Sequence, residues 1–154
     1  MKAGIFLTVA LALLPSCGKE GAPGEKTARP EKALNGQPAV ITVKHILIAF
    51  QGAQRSQATR SKEEALRLAY DLLGRANRGE DFDTLMKAHS SDPGEGTYTM
   101  VNEGVVAGKD EADRSGMVGA FGDVGFRISV GEIGLAEHDE KSSPFGYHLI
   151  KRVK

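Results

Sequence analysis

Two histidines, one aspartate and a handful of hydroxyls carry the chemical potential of this chain. Its single cysteine, Cys17, can form neither an internal disulfide nor a cysteine-based zinc site, so any chemistry must use His, Asp and hydroxyl side chains. His45 sits in Val40-Ile41-Thr42-Val43-Lys44-His45-Ile46-Leu47-Ile48, on the face that carries Ile41, Val43 and Leu47. His148 stands in a similar run near the C-terminus. A histidine on an apolar strand face is by default a hydrogen-bonded core residue. Asp92 precedes Pro93-Gly94, where aspartate also serves to cap a turn. Met117 and Phe121 lie four apart in a glycine-rich stretch, a spacing that gives one apolar side of a short helix and is equally ordinary core. A metal site from His45, His89 and His148 has no HExxH-like spacing to support it.

The rest of the composition narrows the field. With 154 residues, 40% of them hydrophobic, the chain supports one modest domain. Twenty basic and 20 acidic side chains give zero formal charge with no basic face, which argues against nucleic acid as a partner. No internal repeat or second domain is visible.

The candidate residues must be positioned by a small set of elements. Val40 to Ile48, bounded by Pro38 and Gly52, reads as an interior strand. Ser61 and Glu64 have the spacing of a capping box, and Ala65, Leu66, Ala69, Leu72, Leu73 and Ala76 then recur at helical intervals up to Gly79. A second helix from Phe82 to Ala88 stops at Ser90-Ser91-Asp92-Pro93-Gly94. Thr97 to Val106 is strand-like, Gly108 to Ser115 is a charged loop, and Met117 to Arg127 forms a short glycine-rich helix. Glu132 to His138 and Tyr147 to Val153 read as a closing hairpin. Arg55 and Arg60 fall in a polar loop that reads as solvated. The order predicts an α+β domain, an antiparallel sheet covered by helices.

The amino terminus stands apart. Lys2 is followed by an apolar run from Ala3 to Leu14, too short for a spanning helix and of the length of a secretory hydrophobic region. It ends in Leu14-Pro15-Ser16-Cys17, which resembles the lipobox of bacterial lipoproteins, whose cysteine is acylated. Residues 1–16 are therefore expected to be a lipoprotein signal peptide, with Cys17 the lipidated anchor and the protein extracytoplasmic on a bacterial membrane, at its periplasmic or outer-membrane face. More than one acyl chain makes release slow, each buried CH2 contributing roughly 0.8 kcal/mol. Residues 17–39 are rich in glycine, proline and charge and poor in apolar side chains, and read as a flexible tether with a reach on the order of 25 Å. The folded unit is expected over 40–154.

Four segments in order carry a resemblance. Val43-Lys44-His45-Ile46-Leu47-Ile48, then Gly79-Glu80-Asp81-Phe82-Asp83-Thr84-Leu85 with His89-Ser90-Ser91-Asp92, then Gly131-Glu132-Ile133, and finally Phe145-Gly146-Tyr147-His148-Leu149-Ile150-Lys151 resemble parvulin-type (PpiC-like rotamase) peptidyl-prolyl cis-trans isomerases from about residue 40 to the end. The resemblance implies a parvulin-like fold of the FKBP-like superfold, with a four-stranded antiparallel sheet. It implies rotation about X-Pro bonds, whose barrier of roughly 18–20 kcal/mol comes from amide resonance. No bond breaks, and no redox or phosphoryl carrier is needed, so no cofactor is implied.

Carried over residue by residue, the resemblance implies that His45 and His148 face each other on adjacent strands. Asp92 would lie near the substrate carbonyl, where a carboxyl rather than a thiol excludes covalent attack by sulfur. Ser143 would join the histidine network, Met117 and Phe121 would seat the proline ring, and Phe126 would lie near the same pocket. Its partners would be proline-containing unfolded or extended polypeptides of exported proteins, with the membrane reached through Cys17. Two stretches depart from the family pattern: Gly94-Glu95-Gly96-Thr97-Tyr98-Thr99-Met100 replaces a Gly-Gly-Asp-Leu-Gly segment, and the loop from Gly104 to Ser115 is long and charged. The alternative reading is a catalytically weak peptide-binding chaperone or assembly lipoprotein that uses the same cleft.

Overall fold

A computed structural model describes residues 28–154. The expected signal peptide, Cys17 and the first part of the expected tether lie outside the described residues. The described chain runs through β1 (Val40–Ile48), α1 (Lys62–Asn77), α2 (Phe82–His89), β2 (Thr97–Val101), β3 (Ala112–Asp113), a 3-10 turn at Arg114–Gly116, α3 (Gly119–Arg127), β4 (Ile133–Ala136) and β5 (Tyr147–Arg152). Among these helices none is long and apolar enough to cross a membrane.

Local chemistry sets the helices. Ser61 Oγ accepts the Glu64 amide, and the Glu64 carboxylate accepts the Ser61 amide, closing the capping box that starts α1. Asp81 caps α2 by accepting the Thr84 amide. α3 has no side-chain cap. Its Ala120 amide instead donates to the Ser142 carbonyl in the loop between β4 and β5.

The strands form one mixed sheet in the order β3-β2-β1-β5-β4. β1 lies at the centre, antiparallel to β2 and β5, and β4 is antiparallel to β5. The expected antiparallel four-stranded sheet is thus present, with one addition. Ala112–Asp113 pairs in parallel with Met100–Val101 as a two-residue fifth strand, inside the segment read as a charged loop. So short a pairing leaves no alternation for a sequence reading to detect.

The pleat of β1 sorts the core into two layers. Ile46 and Ile48, with Tyr147 and Leu149 of β5, point to the face covered by α1 and α2, where Ala65, Ala69, Leu72, Phe82 and Leu85 complete one cluster. Ile41 and Val43, with Met100 and Ile150, point to the opposite face under α3, against Phe121, Val124, Phe126 and Ile128. α3 approaches closely because Gly134 of β4 has no side chain. A Cβ there would fall 2.5 Å from Val124 Cγ1 and 3.1 Å from Ile128 Cγ2.

The tether expectation requires a correction at its C-terminal end. Ala33 and Ala39 are buried with Val101 and Val105, and Lys32 forms a bridge with Pro38. Arg29 also pairs with Glu111 at 2.7 Å. The folded unit therefore reaches back before Val40. A few small apolar residues, Ala33 and Ala39, find cover against β2, a long-range contact that the local Gly, Pro and charge content hides.

Candidate functional site

β1 and β5 bring the two histidines together. Leu47 pairs with His148 and His45 with Ile150, so the imidazoles stand diagonally on the face below α3. Their rings stack 5.6 Å apart at 20°, both nearly fully buried. β5 enters this position through Gly146, whose φ of 139° and contact with the Ile48 carbonyl exclude a side chain.

Asp92 is held beside them by β1 itself. Ser91 N–H donates to the Leu47 carbonyl at 2.7 Å, and His45 N–H donates to the Gly96 carbonyl at 2.8 Å, which pins both ends of the Asp92 turn to the strand. His45 Nε2 then lies 2.6 Å from Asp92 Oδ2, which also accepts the Tyr98 hydroxyl at 3.1 Å. Asp92 Oδ1 accepts the Gly94 amide at 3.0 Å. His148 Nδ1 is 3.4 Å from His45 Nδ1.

Burial decides the charge state. Burial raises the Asp92 carboxyl, but the Gly94 amide, His45 and Tyr98 outweigh it and hold its pKa below the usual carboxylate value. Burial lowers His45 despite the pull of Asp92. Burial, helped by the proximity of His45, lowers His148 to about 3. With the carboxylate charged and both imidazoles neutral, one proton arrangement fits the contacts. His45 Nε2–H donates to Asp92, and His148 Nδ1–H donates to the bare His45 Nδ1. This leaves His148 Nε2 as a buried acceptor without a protein partner among the described residues.

The walls are apolar. Phe121 of α3 meets both imidazoles edge-on, at 5.1 and 5.6 Å, and Tyr98 packs on His45 at 5.4 Å. Above them opens a cleft of about 810 Å³, lined among others by Leu47, Asp92, Met117, Val118, Phe121 and Phe145. Such a volume accepts a short stretch of extended peptide.

The structure thus gathers His45, His148, Asp92, Met117 and Phe121 around one cleft. Met117 reaches it differently from the expectation: it closes the 3-10 turn before α3, which begins only at Gly119, so Met117 and Phe121 do not share a helix face. Ser143 is fully buried nearby, but its hydroxyl donates to the Gly146 carbonyl at 3.0 Å and makes no hydrogen bond with either imidazole. Phe126 is a core residue of α3, lies beneath the Arg114 guanidinium at 4.9 Å, and does not line the cleft.

Sequence reasoning missed Tyr98, Leu47 and Phe145. Tyr98 was visible as a strand residue two positions before Met100, and only the pairing of Tyr98 with Val43 reveals that it shares the face of His45. Arg55 and Arg60, read as solvated loop, line the mouth of the cleft. Arg55 adopts φ 57° and lies 5.8 Å over the Phe145 ring. Arg60 reaches back to the Ala49 carbonyl.

The family model described as the PPIC-type PPIASE domain matches residues 30–154. Its start falls within the segment that packs ahead of β1. Chaperone SurA of Pseudomonas fluorescens is 32% identical over 111 residues, covering 72% of this chain and 22% of that protein. The chain therefore spans about a fifth of the length of this curated relative.

Proposed function

The chain belongs to the PPIC-type peptidyl-prolyl isomerase family, and on that premise we propose that it accelerates cis-trans rotation about X-Pro bonds of exported polypeptides without covalent chemistry. The observation that carries this reading is the Asp92–His45–His148 chain, its imidazoles buried and its carboxylate half-buried, set directly beneath the apolar wall of Phe121 and Met117. A proline ring seated on that wall loses water, and its preceding carbonyl comes to rest near Asp92.

Twisting the amide ends its conjugation and withdraws charge from the carbonyl oxygen. A carboxylate beside that oxygen opposes the planar, charge-separated form, and a dry pocket favours the less polar twisted one. The two imidazoles hold Asp92 in place and present a fixed floor that needs no reorganisation as the bond turns. In this reading His45, Asp92 and His148 form the polar floor, Met117 and Phe121 seat the ring, and Ser143 stiffens the loop that delivers β5. Phe126, itself a residue of α3, anchors that helix in the core against the sheet.

A protease-coupled assay on proline tetrapeptides tests the proposal. Met117→Ala removes part of the ring's apolar seat and is expected to lower kcat/KM about tenfold, equivalent to roughly 1.4 kcal/mol of lost contact. His148→Ala leaves the His45 Nδ1 acceptor unpaired and is expected to cost about 10- to 100-fold. Wild-type rates equal to the uncatalysed rate would reject the enzyme reading.

A second reading has its own support. The relative is named a chaperone, and the departing segment 94–100 contributes Tyr98 to the cleft, while the segment 104–115 ends next to Gly116, which lines it. Unfolded protein retained by the cleft without rate acceleration would establish a binding module in place of the isomerase.

We also propose that the domain works outside the cytoplasm, anchored through Cys17 and the segment that follows it. The support is the Leu14-Pro15-Ser16-Cys17 pattern behind an apolar run. Palmitate incorporation in cells, abolished by Cys17→Ser, is the expected result. Equal labelling of that variant would reject the anchor.

A further inference from the structure

The pocket wall at Met117 and Phe121 is fastened to the segment that leads into the domain, and Arg114 makes the fastening. We propose that Arg114 is a positioning residue for the proline seat and that residues 29–38 form part of the site's support. The inference rests on the isomerase reading for the name of the seat, though not for the fastening.

Arg114 opens the 3-10 turn that Met117 closes, and Met117 N–H donates to the Arg114 carbonyl at 3.1 Å. Its guanidinium joins three elements. Nη1 donates to Gln37 Oε1 and to Asn102 Oδ1, both at 2.9 Å, and Nη2 donates to Asp123 Oδ1 of α3 at 2.6 Å. Its stem fits against α3 where Gly122 leaves space; a Cβ there would stand 3.2 Å from Arg114 Cγ. The guanidinium also covers the Phe126 ring.

Asn102 is fully buried at the end of β2 and donates to the Pro38 carbonyl at 3.0 Å. Asn35 faces the Asn102 amide group. The leading segment, the end of β2, the turn and α3 therefore meet at one polar knot, in which the planar guanidinium supplies three donors in a fixed fork. A second clip, Arg29 to Glu111, holds the same segment to the loop just before β3.

Core packing seats α3 itself, and Asp113 caps the 3-10 turn, but few other contacts place Met117 at the turn's end. The 3-10 turn contributes no buried residue of its own, and α3 lacks a side-chain cap. Without the knot, Met117 would be free to shift relative to the imidazoles while the sheet and the α1–α2 layer stayed intact. The loss would then appear in how well the peptide is seated, hence in KM, more than in the rotation step of seated peptide. Such a link would also let anything that displaces residues 29–38 alter the cleft.

Methionine-methyl labelling tests this in the full-length protein with Arg114→Gln and the gentler Gln37→Ala. Met117 reports the wall, and Met86, on the far face of the sheet, serves as the control. We expect the Met117 methyl resonance to move in both variants, more in Arg114→Gln, while Met86 stays in place. KM for a proline tetrapeptide should rise about threefold in Gln37→Ala and about tenfold in Arg114→Gln, with kcat within twofold of wild type. A stationary Met117 resonance with lowered unfolding midpoint would overturn the proposal, leaving Arg114 a structural residue. If wild type fails to catalyse rotation, the isomerase reading falls, while the Met117 shift still decides the fastening.

Discussion

Phe121→Ala is expected to lose turnover and about 3–5 kcal/mol of stability, the range for removing a large aromatic from a packed core. Phe121 is 2% exposed and serves two roles. One edge fills the layer with Ile41, Val43 and Ile150, and the other meets both imidazoles. The truncation opens a void between the floor and α3, so the histidines lose the wall that keeps them dry. Because that variant risks unfolding outright, Phe121→Leu separates the roles. It keeps an apolar side chain in the layer at a cost of about 1–1.5 kcal/mol, but loses the flat ring beside the imidazoles. We expect it to fold and to lose about tenfold in kcat/KM, roughly 1.4 kcal/mol of transition-state stabilisation. A folded Phe121→Leu protein with wild-type turnover would remove Phe121 from the seat and confine it to the core.

What could be read from the sequence divides along physical lines. α1 was legible because its start is written in side chains, Ser61 with Glu64, and α2 because a turn-rich run from Ser90 to Gly94 ends it. β1 was legible because its β-branched residues run unbroken. The start of α3 was not, since a carbonyl from Ser142, distant in sequence, does the work of a cap. That is why Met117 looked helical and is not. β3 and the packing of Ala33 and Ala39 escaped for the same reason, each depending on partners in β2 that leave no local pattern.

The site divides similarly. His45, Asp92 and His148 could be picked out through motifs, but their order in a proton chain needed the distances. Ser143 shows the limit of carry-over. Its position in the closing loop was right, yet its hydroxyl is used by the Gly146 carbonyl, so proximity in a motif did not give the partner. Arg55 and Arg60 show the reverse. Their polar loop suggested solvent, and Arg55 is indeed exposed, yet it also lies over Phe145 at the cleft, and Arg60 is half-buried there.

The proton chain has a consequence for stability. In the unfolded chain a histidine titrates near 6.5, while in the fold burial lowers His148 to about 3. Between these values the unfolded state binds more protons than the native state, so stability rises with pH across the window and is lost as pH falls through it. For His148 alone the slope approaches about 1.4 kcal/mol per pH unit near the middle of the window. His45, also lowered by burial, adds in the same sense below 6.5. Asp92 adds at still lower pH, because its depressed carboxyl must be protonated on unfolding. Urea unfolding midpoints are therefore expected to fall steeply from pH 7 to pH 4.5.

His148→Asn isolates the histidine's share, since the amide can still donate toward His45 Nδ1 but carries no titrating group. The variant is expected to start less stable at pH 7, having lost ring packing against Phe121, and to show a clearly shallower decline. Parallel declines in wild type and variant would mean that His148 takes up its proton in the folded state as readily as in water. The neutral imidazole floor, and the proton order built on it, would then be wrong.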